Sequence, residues 1–550
     1  MKRQKIALIS VYNKEGIADF AKNLIDLGWK IISSGGTAKH LTEAGIENTD
    51  VADITGMPAI LSHRVATLHP KIHGGLLALD TLEHLAELEK YDIPWIDMIC
   101  NDFYPLEDEI AKTEVNRESV IKKTDIGGPT LVRSGAKGGR IVICDKEDRK
   151  KVIDWLKAGE PDKDNFLNDL RAKAEAMVSR YCAVSAEYHS GQKYKNIFGK
   201  RVLELAYGEN AYQIPAFLYR IHGAQKDPLV IINWKLIAGS PLSYNNICDT
   251  DRMIQTMTHI GAGFSAQGGS AFGGEVPCVA IGVKHGNPCG VGVSDNEIEA
   301  IDKMLQGDLR AIFGGSVMLN FPVDEKIAEE LIHKYIIEGR RLLDIVAAPS
   351  FSPEAIEILS RKKGKCRLLA NPSILKAGLS SLDNQKRFRY VRGGFIEQPN
   401  YTFVPSIALV KEGVPDLTTE IMQDIVLAWA IGATSNSNTI TLVKNGRLYG
   451  NGVGQQDRVG AAKLAIFRAD DAAKFADSGA KEANLRDAVA YSDSFFPFPD
   501  AVEVLINRGI KTIFSTSGSV NDDKIIELCR SKGVNLIMLP DKEARGFYQH

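Results

Sequence analysis

Val283-Lys284-His285-Gly286-Asn287-Pro288-Cys289-Gly290 sets a lysine and a histidine side by side at the end of an apolar run, ahead of turn residues. Histidine is the side chain that exchanges a proton near pH 7. A neighbouring lysine cation favours its neutral, proton-accepting form. At the end of a buried strand the pair would protrude into a cleft; the alternative is two surface side chains on a turn. Two glycine-rich turns could hold an anion. Ser33-Ser34-Gly35-Gly36-Thr37 follows a strand-like run and opens a helix, where free backbone N–H groups favour a phosphate; a plain tight turn is the alternative. Thr124-Asp125-Ile126-Gly127-Gly128-Pro129-Thr130 opens a second helix-like run, on which Arg133 and Lys137 share a face. An acid and a lysine beside a phosphate cradle can move protons, whereas a capped helix with a solvated basic face would do no chemistry. His69 and His73 have a spacing that binds zinc on a helix, but Pro70 opposes a helix interior and no third ligand lies near. Substrate lining or backbone shaping is the expected role. Ser492 to Asp500 carries Phe495, Phe496 and Phe498 between prolines, and is read as a rigid apolar wall for a flat heterocycle or as a core plug.

These residues need strands and helices to hold them. Ile6–Val11, Lys30–Ile32, Trp95–Cys100 and Arg140–Cys144 read as strands, and Glu15–Leu27 as a helix stopped by Gly28. The alternation predicts an α/β unit with a parallel sheet. A charged helical stretch follows over roughly 148–188, and a boundary is placed near 193–200. Beyond it, Val279–Val283, Ile345–Ala348, Ile440–Val443 and Val534–Leu539 are buried-strand candidates, with a helix over Asp522–Ser531. Asn445-Gly446 predicts a two-residue hairpin turn, since both residues tolerate positive φ. The size of this part permits two similar subdomains.

The chain has 550 residues, 44% hydrophobic and 25% charged, with a net charge of −2. That is an ordinary globular composition. It gives no general attraction to nucleic acid or anionic membrane, so an anionic ligand must be held locally. Eight scattered cysteines form no CxxC pair and are expected as small buried hydrophobes in a reducing compartment. The basic-then-apolar start is interrupted by Tyr12-Asn13-Lys14, too soon for a signal peptide or membrane span. A cytoplasmic protein is expected.

A series of segments, in this order, resembles one family: SVYNK (10–14), SSGGTAKHLTEAG (33–45), DITGMP (53–58), TLHPKIHGG (67–75), TDIGGPTLVRSGAK (124–137), YGEN (207–210), LSYNNICD (242–249), VKHGNPCG (283–290), FGG (313–315), GVGQQDR (452–458), SDSFFPF (492–498) and SGS (517–519). The chain is similar along nearly its whole length to the bifunctional purine-biosynthesis family. That family joins a transformylase for aminoimidazole-carboxamide ribonucleotide (AICAR) to an inosine monophosphate (IMP) cyclohydrolase. The resemblance implies a methylglyoxal-synthase-like parallel-sheet domain over 1–198 for cyclisation. It implies a duplicated cytidine-deaminase-like α/β domain without zinc over 199–550 for formyl transfer. No HxE or CxxC motif is present. It further implies a homodimer, 10-formyltetrahydrofolate as co-substrate, a structural monovalent cation, and AICAR, its formylated product (FAICAR) and IMP as ligands.

The resemblance also implies roles. His285 takes the amine proton and Lys284 stabilises developing charge. Tyr207, Gly314, Asp344, Asn438, Arg458, Phe495 and Arg545 line the nucleotide site, and Val459, Asp500, Ser519 and Val520 the folate site. For cyclisation, Lys137 is the proton donor and acceptor, with Asp125 and Tyr104 beside it. Tyr12, Asn13, Lys14, Ser34, Gly35, Gly36, Thr37, Arg64, Thr67, Asn101, Asp102 and Thr124 bind the nucleotide. Several positions depart from the family pattern. Ala66 stands where a lysine is usual, and Lys71 is expected to supply that charge. Asp102 adds an acid, which suits a phosphorylated substrate poorly. Gly138-Gly139 replaces Asn-His, and Ala206 replaces a phosphate-binding arginine. A lost charge-assisted contact costs about 1.5–3 kcal/mol unless replaced. Two alternatives follow: a transformylase with a weakened cyclohydrolase domain, and a noncatalytic nucleotide- or folate-binding paralogue.

Overall fold

The computed structural model describes residues 3–61, 64–222, 224–266, 276–406, 414, 417–476 and 480–548. The chain divides into two compact units, residues 1–198 and 199–550.

In the first unit, β1 (Ile6–Ser10), β2 (Lys30–Ser33), β3 (Thr49–Asp50), β4 (Met98–Asn101) and β5 (Ile141–Ile143) form a parallel sheet in the order β3-β2-β1-β4-β5. Both faces of β1 are buried. Ala7 and Ile9 pack with Phe20, Leu24 and Val152 on one side, while Leu8 packs with Ile99, Leu131 and Val132 on the other. This two-sided burial is why the strand reads as a continuous apolar run. β4 starts at Met98 and not at Trp95, whose ring is covered by the guanidinium groups of Arg3 and Arg140 at 3.9 and 3.8 Å. The expected long charged helix is two, Glu147–Lys157 and Lys163–His189. Gly159 (φ 83°), Glu160 and Asp162 take left-handed backbone, and the Trp155 indole N–H donates to Pro161 O at 2.7 Å, which closes the break.

The second unit contains an internal duplication. β9 (Cys278–Lys284) and β10 (Asn287–Ser294) form a hairpin, followed by β11 (Ser316–Leu319), β12 (Ile345–Ala348) and β13 (Arg367–Ala370). β16 (Ile440–Lys444) and β17 (Arg447–Gly452) form another, followed by β18 (Val489–Ser492), β19 (Thr512–Ser517) and β20 (Asn535–Pro540). In each repeat the first hairpin strand pairs antiparallel with the next strand, and the last three strands run parallel. The second hairpin strands meet at the centre of one eleven-stranded sheet, β20-β19-β18-β16-β17-β10-β9-β11-β12-β13-β8, with β8 (Lys235–Ala238) at its edge. Helices Tyr244–Ser265 and Thr419–Gly432 precede the two hairpins and share one core with Ile281, Val283, Val443 and Tyr491. Two ribbons, β6 (Gly199–Leu205) with β7 (Ala216–Ile221) and β14 (Lys386–Val391) with β15 (Gly394–Pro399), stand apart from this sheet.

All eight cysteines are free. Cys100, Cys144, Cys366 and Cys529 are buried as expected, Cys278 and Cys289 are half-buried, and Cys182 and Cys248 are exposed.

Candidate active sites

The first unit holds a cavity of about 740 Å³ at the carboxyl ends of β1 and β4. Two helices point their N-termini at it: Gly35–Glu43, through Gly35, Gly36 and Thr37, and Gly127–Lys137, through Gly127 and Gly128. Unpaired N–H groups at such ends attract an anion. The first turn is built around Thr37, whose hydroxyl accepts from Val11 N–H and donates to Val11 O, both at 3.1 Å. The second helix is capped by Asp125, which accepts from Gly128 N–H at 2.9 Å. A Cβ on Gly128 would sit 2.5 Å from Asp125 Oδ2 and 2.8 Å from Asn101 Oδ1, so a larger residue there would displace both side chains from the cavity wall.

Tyr12, Lys14, Ser34, Arg64, Thr67, Asn101, Asp102, Tyr104, Thr124 and Asp125 line this cavity. Asn101 Oδ1 is buried without a hydrogen-bond partner among the described residues, so an acceptor waits at the cavity wall. Burial pushes the Asp125 carboxyl up. It also pushes the Tyr104 phenol up, with the Asp125 and Tyr12 charges adding to the effect. Lys14 is pulled down by burial, partly offset by Asp102. A carboxyl that holds a proton more readily and a lysine that releases one more readily suit proton transfer.

Four expectations are corrected. Asp102 is not a bare acid facing the ligand. It accepts the backbone N–H groups of Tyr12 and Asn13, and Arg149 lies 4.0 Å away, so its charge holds the loop after β1. Asn13 lies outside the lining because its carboxamide oxygen turns back to Glu15 N–H at 2.9 Å. Lys71 does not replace the charge absent at Ala66; it pairs with Asp92 at 3.1 Å, away from the cavity. Lys137 does not share this cavity with Tyr104. It ends the eleven-residue helix whose start faces the cavity, a rise of about 15 Å. With Arg133, Ser134 and Ser185 it lines a neighbouring cavity, also about 740 Å³, and the two meet at Thr124, Asp125, Ile126 and His189. Lys122 and His189, which nothing in the local pattern singled out, line the first cavity too. His69 and His73 each have a partner within the fold. His69 caps the helix opened by Pro70, and His73 Nδ1 meets Ser134 Oγ at 2.9 Å. Among the described residues no cluster of three or more His, Cys, Asp or Glu could hold a metal ion.

In the second unit the Lys284-His285 pair sits where β9 turns into β10. His285 (φ 52°) and Gly286 (φ 73°) are the two central residues of the turn, and His285 is exposed. The Lys284 ammonium donates to Phe313 O at 3.0 Å. It also lies 3.9 Å from where a Cβ on Gly314 would be. Gly314 and Asp344 precede β11 and β12 at the same end of the sheet, and Asp344 pairs with Arg361 at 3.2 Å. The other repeat comes to this end through its loops. Asn436 N–H donates to Asn287 Oδ1 at 3.0 Å, joining the two repeats. Asn438, after a cis Ser437–Asn438 peptide, donates through Nδ2 to Gln455 O at 2.9 Å. Arg458 is buried, ion-paired with Asp493 and hydrogen-bonded to Phe495 O at 3.2 Å. Burial raises the Asp493 carboxyl and Arg458 opposes that shift.

Phe495, Phe496 and Phe498 do not form one wall: Phe496 fills the core, Phe495 is half-buried and Phe498 is exposed. The segments around Asp500 and Ser519 follow the carboxyl ends of β18 and β19, the end at which open sheets bind ligands. Asn521 Nδ2 ties them together through Pro497 O at 2.7 Å. Val520 is 99% exposed, whereas Val459 packs partly into the core. Arg545 pairs with Asp541. Tyr207 O accepts from Tyr244 N–H at 3.0 Å, which sets the 207–210 segment at the start of helix Tyr244–Ser265.

The repeat has a sequence signature that the local reading missed. VKHGNPCGVG (283–292) and VKNGRLYGNG (443–452) form the corresponding hairpins of the two repeats. The shared glycines allow a helix to press on the strand: a Cβ on Gly292 or Gly452 would meet a helix carbonyl at 2.0 Å.

Two family models match parts of the chain. A model of the AICARFT/IMPCHase bienzyme family matches residues 139–468, and one of the MGS-like domain matches residues 16–130. The chain is 36% identical to the "Bifunctional purine biosynthesis protein PurH" of Anoxybacillus flavithermus (strain DSM 21510 / WK1), over 98% of each chain. It is 34% identical to the protein of the same name from Oceanobacillus iheyensis, over 97% of this chain and 98% of the relative. The solved structure titled "Crystal structure of ForH" is 30% identical, covers 35% of this chain and 100% of its own, and has a TM-score of 0.32.

Proposed function

The chain belongs to the AICARFT/IMPCHase bienzyme family, and from that premise we propose that it performs both reactions of de novo purine synthesis that the family name joins. Residues 199–550 transfer a formyl group from 10-formyltetrahydrofolate to the amine of AICAR. The amine nitrogen attacks the formyl carbon and His285 accepts the amine proton; the bond from that carbon to folate N10 then breaks, N10 takes up a proton as tetrahydrofolate leaves, and Lys284 stabilises the developing charge. The nucleotide lies against Tyr207, Gly314, Asp344, Asn438, Arg458, Phe495 and Arg545, and the folate against Val459, Asp500, Ser519 and Val520. The observation that carries this assignment is the exposed His285 imidazole beside Lys284, at the sheet end where Gly314, Asn436 and Arg458 also stand.

Residues 1–198 close the ring. The carboxamide nitrogen of FAICAR attacks the formyl carbon, and the formyl oxygen leaves as water, giving IMP. The phosphate sits at the N-terminus of helix Gly35–Glu43 with Arg64 and Lys14 near it, and Asp125 with Tyr104 moves protons. Lys137 acts from the adjoining cavity, across the shared wall at Asp125 and His189.

A two-step assay tests both assignments. His285→Ala should abolish formyl transfer and leave cyclisation of supplied FAICAR intact; Lys137→Ala should do the reverse. Loss of both activities in either variant contradicts two separate sites. A second reading, a transformylase with a weakened cyclohydrolase unit, is favoured by Ala66 in the cavity wall. Failure of the wild-type chain to convert FAICAR to IMP would select it. Eight free cysteines support a reducing, cytoplasmic setting. Exposed Tyr219, Ile221, Tyr390 and Ile396 on the two ribbons support a second copy as their cover.

A further inference from the structure

The two hairpins share more than a turn. Each lysine donates to the carbonyl just before the next strand element: Lys284 to Phe313 O at 3.0 Å, and Lys444 to Arg486 O at 2.7 Å. Each turn is also capped by an aspartate from the preceding helix, Asp249 on Tyr244–Ser265 and Asp424 on Thr419–Gly432, each the sixth residue of its helix. In the second repeat Asp424 takes both turn N–H groups, Asn445 and Gly446, at 2.7 Å each. In the first, Asp249 takes Gly286 N–H at 2.8 Å and reaches Ser316 Oγ at 3.4 Å with its other oxygen.

The carbonyl of the turn glycine is held differently in the two repeats: Gly446 O accepts the backbone N–H of Val293 at 2.8 Å, whereas Gly286 O is held by a side chain. Arg252, one helical turn beyond Asp249, donates Nε–H to Gly286 O at 2.8 Å and pairs through Nη2 with Asn436 Oδ1. The equivalent position in the second repeat is Leu427. Arg252 is 3% exposed, and its guanidinium lies 4.2 Å from the ring centroid of Tyr548, itself buried. Gly286 of the histidine turn is therefore held at both its N–H and its C=O by side chains from one helix. The same arginine reaches Asn436, two residues before Asn438.

We propose that Asp249 and Arg252 are positioning residues for formyl transfer, fixing the His285-Gly286 turn and tying it to the 436–438 loop. The proposal rests on the reading of His285 as the proton acceptor. A general base must be held within about 0.5 Å of its working position. A displacement of about 1 Å can cost about a hundredfold in rate. A histidine in left-handed backbone at a hairpin tip has no packed core around it to provide that precision, so helix-borne side chains provide it.

The second hairpin is a built-in control. Steady-state formyl transfer from 10-formyltetrahydrofolate to AICAR is measured for the full-length protein and for Asp249→Ala, Asp249→Asn, Arg252→Lys and Asp424→Ala. Amide hydrogen exchange is followed over residues 279–290 and 440–450. Asp249→Ala and Arg252→Lys should each lower kcat about ten- to hundredfold with KM for AICAR within about twofold, and should speed exchange at the 285–286 turn. Asp249→Asn, which keeps an acceptor, should recover most of the rate. Asp424→Ala should speed exchange at 445–446 and keep kcat within about twofold. Wild-type kcat in both Asp249→Ala and Arg252→Lys overturns the proposal, and so does an equal kcat loss in Asp424→Ala. Arg252→Lys carries the test if the alanine variant does not fold. His285→Ala is run alongside: if it transfers formyl at the wild-type rate, the reading of the site fails. If it is inactive while the positioning variants are normal, only the positioning role fails.

Discussion

Lys284-His285-Gly286 and Lys444-Asn445-Gly446 are one backbone device used twice, at opposite ends of the same sheet. Both turns hold two positive φ angles, 52° and 73° in the first, 52° and 69° in the second. Asparagine and glycine are the residues that adopt this turn with least strain, and the second hairpin uses them. The first accepts histidine, which enters the left-handed region less readily than asparagine does. The turn therefore sacrifices local preference for an exposed imidazole, and an extra arginine clamps it. Where a repeat departs from its twin at a strained position, chemistry is the reason to look for.

The largest effect that would break this comparison comes from making the first turn like the second. His285→Asn should reduce formyl transfer by about 10²–10⁴-fold while leaving the urea unfolding midpoint unchanged or slightly higher. A rate within tenfold of wild type would remove the functional contrast between the hairpins.

The next effect is structural. Gly446→Ala should destabilise the second unit by about 1–3 kcal/mol. Its φ is 69° and the new Cβ would sit 2.6 Å from Val293 O. Chemical unfolding checks this, and a change below about 0.5 kcal/mol would mean the turn relaxes freely.

A third effect depends on pH. Burial pushes the Asp424 carboxyl from 3.8 up to about 6. A folded-state value above the unfolded one means that folding favours the protonated form. That contribution is present in full below pH 3.8 and is lost as pH rises through about 6. Asp424→Asn removes it, so the variant should gain on wild type between pH 4 and pH 7 in urea unfolding. Parallel pH profiles for the two proteins would show that the carboxyl titrates as it does in the unfolded chain.

The smallest effect is the reverse graft. Asn445→His should cost less than about 1 kcal/mol, and it should restore no formyl transfer in the His285→Asn background. The second turn lies at the far end of the sheet from Asn438 and Arg458. Restored activity would mean that the turn alone makes the site.

Much of the fold was legible in the chain itself. β12 falls on Ile345–Ala348 as the apolar run predicts, and Asn445-Gly446 forms the expected hairpin turn. These features depend on neighbours a few residues away. The break at Gly159–Asp162 was also local, yet the charged periodicity on either side masked it. In the sites, the glycine-rich turns and the Lys-His pair were readable because they combine special backbone with reactive side chains. The duplication was readable in principle, from VKHG and VKNG, but only by comparing segments far apart.

Residue types, their spacing and the alternation of elements are properties of the sequence alone. They determined the α/β character, the glycine-rich turns, and the presence of a histidine and a lysine able to move protons. Tertiary structure decided where charges go. It turned Asp102 onto the backbone of Tyr12 and Asn13, gave Lys71 to Asp92, and put Lys137 in a cavity that shares Asp125 with the one lined by Tyr104. It also brought Asp249 and Arg252 to the histidine turn. Electrostatic partners are chosen by distance in space, and residues far apart in the chain become neighbours only when the sheet and its helices have packed.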